Sequence, residues 1–102
     1  MRSRQVDPYV RVMPKFLIER DVPGAGSLTA DEVRLIAAKS NHVLAGMAPR
    51  AQWVQSYVTS DKVYCVYLAD DEATIGEHAE RVGVPVSAVN EITSVIDPTV
   101  GE

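Results

Sequence analysis

AQWVQSYV (Ala51–Val58) and KVYCVYLA (Lys62–Ala69) are runs rich in β-branched and aromatic residues, joined by the short polar turn TSDK. Two such runs at so close a spacing predict an antiparallel hairpin, with alternate side chains on opposite faces. Two strands alone are marginal in water, so the rest of the chain has to extend this sheet and cover it.

The flanking segments have the periods for that task. KFLIERD (Lys15–Asp21) alternates as a strand does, with Phe16 and Ile18 on one face and Leu17 and Glu19 on the other, and VPGAGS breaks it. Thr29 and Glu32 have the spacing of a capping box, and Val33, Ile36, Ala37, Ser40, Val43, Leu44 and Met47 recur at helical intervals. A helix over residues 30–47 is predicted, ended by Gly46 and Pro49. After the hairpin, DDEATIGEHAERVG opens with acids suited to a helix N-terminus, sets Ile75, Ala79 and Val82 on one side and closes with Gly83. The segment VPVSAVNEITSVIDP predicts a turn around residues 85–88 and a strand over residues 91–96, stopped by Pro98.

The resulting order, β-α-β-β-α-β, is an α+β arrangement of the ferredoxin-like kind, an antiparallel sheet with both helices on one face. Leu17, Trp53, Tyr57 and Tyr67 are assigned to the other face, an aromatic surface that a monomer rarely exposes. A homodimer packed sheet to sheet is expected to cover it.

At 102 residues the chain is one domain, able to bury roughly 60–65% of the surface that its unfolded form exposes. MRSRQVDPYVRV has no period long enough to bury, and a second methionine, Met13, follows it. Residues 1–12 are therefore expected to be a flexible N-terminal extension, and residues 13–102 the single domain. Ten basic against fourteen acidic residues give a net charge of −4, a field that repels phosphate backbones and anionic headgroups. Neither nucleic acid nor a membrane is expected as a partner. The lone cysteine cannot close an intrachain disulfide, and no apolar run approaches the roughly 20 residues of a membrane span. A cytoplasmic protein is expected.

Few residues carry chemistry. His78 follows Ile75 by three positions, about 60° from the centre of the buried stripe, so it is expected at its edge, directed into a pocket or out to an ion. Glu77 and Glu80 adjoin it in sequence but diverge from it on a helix. His42 lies opposite the apolar stripe of the first helix, and such an exposed imidazole binds a borderline transition ion when a neighbouring chain brings a second donor. Glu19 shares its strand face with Leu17, where a carboxylate has to be paired or face a cavity. With Trp53, Tyr57 and Tyr67 nearby it would form the polar end of an aromatic pocket. Cys65, mid-strand and without a histidine or cysteine beside it, reads as inert packing. PGAG lacks the full dinucleotide fingerprint and the P-loop lysine, and no nucleophile motif is present, so a binding protein is expected rather than an enzyme.

IERDVPGAG, WVQSYVTSDKVYCVYLA, EHAERVGVP and VIDPT, in that order, resemble a family of small bacterial domains of unknown function that includes a nickel-binding, nickel-responsive ferredoxin-like protein of actinomycetes. The resemblance covers nearly everything from Met13 to Glu102. It implies a homodimer that binds nickel ions at its surface, for sequestration or response, with no established enzymatic activity. It assigns no ligands, although His78 stands in a matching block. The leading expectation is thus a metal-binding protein with His42 and His78 as nitrogen donors and Asp71 and Glu77, with Asp70 and Glu80 behind them, as oxygen donors. The rival is a small-molecule module or enzyme of the dimeric α+β barrel type, using Glu19 and His78 above the aromatic pocket.

Overall fold

The computed structural model of the protein describes residues 13–102, and the expectation for residues 1–12 lies outside them. Strand β1 (Lys15–Asp21) is followed by helix α1 (Ala30–Ala45), strands β2 (Ala51–Val58) and β3 (Lys62–Ala69), helix α2 (Glu72–Val82) and strand β4 (Ala88–Ile92). The sheet order is β2-β3-β1-β4, antiparallel throughout, which is the ferredoxin-like α+β fold. Among the described residues no helix is long and apolar enough to cross a membrane.

Local chemistry starts and stops both helices. At α1 the Thr29 hydroxyl accepts from the Glu32 N–H at 3.1 Å, and Glu32 Oε1 accepts from the Thr29 N–H at 2.9 Å, completing the capping box. The helix ends at Ala45, two residues before the predicted end, because the N–H groups of Gly46 and Met47 turn to the oxygens of Val43 and Leu44 and tighten the last turn. Asp71 caps α2, its Oδ1 accepting from the Thr74 N–H at 2.8 Å. Gly83 ends α2 in the left-handed region at φ 81°, its N–H bonded to the Ala79 oxygen at 2.8 Å.

The inner sheet face, under the helices, carries Phe16 and Ile18 of β1 with Cys65, Tyr67 and Ala69 of β3, packed against Leu44 and Ile75. Two expectations about faces and ends are corrected. Tyr67 stands opposite Phe16 and is 2% exposed, so it belongs to the core and not to the outer face. Trp53 pairs with Tyr67 and shares that inner face, whereas Tyr57 pairs with Tyr64 on the outer one. A β-bulge between Trp53 and Gln55 absorbs Val54 as a surplus residue and breaks the alternation that would have kept Trp53 with Tyr57. Strand β4 covers residues 88–92 and not 91–96, because β1 offers ladder positions only from Glu19, opposite Ala88, to Lys15, opposite Ile92. Beyond them Val95 and Ile96 are exposed despite their β-branched side chains.

The two glycines of α2 should respond oppositely to alanine. Gly83→Ala puts a Cβ on a left-handed backbone and should lower stability by about 1–2 kcal/mol. Gly76→Ala adds a methyl at a helical position with nothing within 4 Å and should raise stability by about 0.5–1 kcal/mol. Urea denaturation of both variants checks the signs.

Candidate functional site

The inner face is not filled everywhere. Between α1 and the β2–β3–β1 side of the sheet lies an apolar chamber of about 160 Å³. Val33 and Ile36 of α1 form one wall and remain 43% and 46% exposed, so the chamber is partly open to solvent there. Val58 and Val63 line it from the sheet, and Trp53 and Tyr67 stack with ring centroids 6.5 Å apart. The indole N–H donates to Ser56 Oγ at 2.9 Å, spanning the bulge and fixing the ring.

Against this apolar lining stand four buried polar side chains: Arg20, Ser40, Tyr67 and His78. Ser40 Oγ lies 3.1 Å from His78 Nε2 and 3.5 Å from the Tyr67 hydroxyl, so α1, α2 and β3 meet at one hydrogen-bonded cluster. The tyrosine and imidazole rings are 5.0 Å apart and tilted by 50°. His78 is 1% exposed and its Nδ1 has no hydrogen-bond partner among the described residues. Burial, helped by the charge of Arg20, pushes its pKa down to about 4, so the imidazole is neutral at pH 7. Burial also raises the Tyr67 phenol above its ordinary value, against the pull of the Ser40 hydrogen bond, and keeps its proton on.

Of the residues predicted for a pocket, the chamber takes Trp53, Tyr67 and His78, while Glu19 and Tyr57 are on the opposite face of the sheet. Glu19 is ion-paired with Lys62 there. The expected edge position of His78 is corrected to the core, because the buried stripe of α2 is wide enough to include Thr74, Ile75, His78, Ala79 and Val82. Arg20 and Ser40 were not singled out. Their signals were present: Arg20 has the inward phase of Phe16 and Ile18, and Ser40 falls within the apolar stripe of α1.

The predicted metal donors stand apart. His42 is on the exposed side of α1, and Asp71 is engaged as the α2 cap. Glu77 is held by Arg50 through two bonds of 2.9 Å and by Arg81 at 2.7 Å, which lowers its pKa. Glu80 is exposed on α2, and Asp70 lies just before the cap.

Residues 16–92 match the family model described as "Nickel responsive protein SCO4226-like". The chain belongs to this SCO4226-like family. A solved structure, the crystal structure of SCO4226 from Streptomyces coelicolor A3(2), superposes with a TM-score of 0.68 at 15% identity, covering 80% of this chain and 99% of that one. This likeness is one of fold. No curated protein sequence matches the chain significantly.

For a member of a nickel-responsive family the donor set has to be tested against a metal centre. Among the described residues no group of three or more His, Cys, Asp or Glu side chains could hold an ion. The imidazole of His78 faces Ser40 inside the core, and the Glu77 carboxylate is already neutralised by two guanidinium groups. These residues do not fit a nickel centre within a single chain.

The buried histidine should appear in the pH dependence of stability. Its folded pKa is depressed from 6.5 to about 4, so between these values the unfolded chain binds the extra proton and stability falls as pH falls. The wild type should lose of the order of 3 kcal/mol across this window, in excess of any loss in His78→Gln. Urea titrations of both proteins at stepped pH check this.

Proposed function

We propose that this SCO4226-like protein is a binding module for a small, mainly apolar molecule that carries one polar group. The observation that supports this is the apolar chamber backed by a buried polar cluster in which His78 Nδ1 lacks a partner among the described residues. Apolar walls with a few convergent polar groups are the usual form of a small-molecule site. An unsatisfied buried nitrogen costs about 1–3 kcal/mol, which a ligand hydrogen bond would offset. An imidazole with a pKa of about 4 is a weak base at neutral pH, which favours binding over acid–base chemistry.

Trp53 is the only tryptophan and lines the chamber, so its fluorescence should report occupancy. One-ring probes such as toluene and benzyl alcohol should give a saturable change that Ala37→Phe, which fills the chamber from α1, removes. No saturable response to any one-ring probe would sink the reading.

Family membership supports a second reading, a nickel response through a site built between chains. Exposed His42 is the donor suited to it, with water or donors of a second copy completing the coordination. The outer sheet face, with half-buried Leu17, Tyr64, Val66 and Leu68, is the surface a second copy would cover in a homodimer. Calorimetric titration with Ni²⁺ should show heat for wild type and His78→Ala and a loss of at least tenfold in affinity for His42→Ala. Equal binding by all three would remove His42 from the reading.

A further inference from the structure

The charge in the chamber lining narrows the ligand class. Arg20 is in β1 and points inward with Phe16 and Ile18, 4% exposed. One nitrogen of its guanidinium donates to the Pro85 oxygen at 3.1 Å, the group also hydrogen-bonds the Tyr67 hydroxyl, and its charge acts on Tyr67 and His78. Among the described residues no carboxylate forms an ion pair with it. The acids beside it in sequence, Glu19 and Asp21, are both engaged by Lys62. Neutral Ser40, Tyr67 and His78 bring no counter-charge. A guanidinium carries five N–H donors, and a buried cation lacking an anion costs several kcal/mol.

The rest of the lining gives the size and polarity of the remainder. Val33, Ile36, Val58 and Val63 offer no hydrogen bonds, and Trp53 has committed its own N–H to Ser56. An apolar cavity of about 150 Å³ in another protein accommodates benzene. The chamber here, about 160 Å³, therefore suits one ring or a short branched chain.

We propose that the chamber takes a small monocarboxylate of one aromatic ring or a short branched chain, its carboxylate on the Arg20 N–H groups that Pro85 and Tyr67 leave over and its apolar body against α1. The inference rests on the small-molecule reading above and adds the charge of the ligand. Planar guanidinium and carboxylate match in a two-bond pair, which a neutral isostere of the same shape does not form.

The test compares benzoate with benzamide at pH 7, by Trp53 fluorescence and calorimetry, on wild type and Arg20→Met. Wild type should bind benzoate at least tenfold tighter than benzamide. Arg20→Met should bind benzamide and toluene as wild type does and show no preference for benzoate. Benzoate should also shift the side-chain Nε–H resonance of Arg20 in wild type, a readout independent of whether the variant folds. Benzamide binding as tightly as benzoate, or a preference that survives in Arg20→Met, overturns the carboxylate assignment and leaves the small-molecule reading standing. If benzoate, benzamide and toluene all fail to bind wild type, the small-molecule reading itself fails, and the carboxylate with it.

Discussion

Strand β1 is paired along its length with β3, from Lys15 opposite Leu68 to Asp21 opposite Lys62, and over five residues with β4 on its other side. A strand held on both edges cannot slip, since moving its register by one residue would turn Phe16 and Ile18 out of the core. The same register fixes what lies between them and the helices. Arg20 is carried inward by the alternation that buries Phe16 and Ile18, and the last inward position of the strand therefore holds a cation. The chamber and its charge are consequences of that one ladder.

Much of the fold was legible in the sequence, because each element announces itself by period and punctuation. Thr29 with Glu32 starts one helix, Asp71 the other, and Gly83 closes the second in the conformation that glycine tolerates best. What was not legible depended on partners distant in the chain. The run ITSVI reads as a better strand than AVNEI, yet AVNEI is the segment that the open edge of β1 can reach. Propensity describes how a segment suits a sheet, and the ladder decides whether a sheet is there to receive it.

The site was legible in pieces. Trp53, Tyr67 and His78 are legible as residue types, but their convergence arises from three elements, and the inward phase of Trp53 and Tyr67 depends on the cross-strand register. Ser40 passed for a neutral member of an apolar stripe, although a hydroxyl among Ile36, Ala37 and Leu44 has to find a partner once buried. The acidic run before and along α2 has local roles: Asp71 caps the helix, and Glu77 binds two arginines. Charges that satisfy one another within a chain are poor donors for an ion.

The bulge at Val54 divides β2 into two segments of opposite phase, both paired with β3. Upstream, Ala51 and Trp53 face the interior; downstream, Gln55 and Tyr57 face outward while Ser56 and Val58 continue the chamber lining. In an unbroken strand the tryptophan and the tyrosine would be locked to the same side. The surplus residue separates the two, so one short strand places an aromatic ring in the chamber wall and another on the outer face.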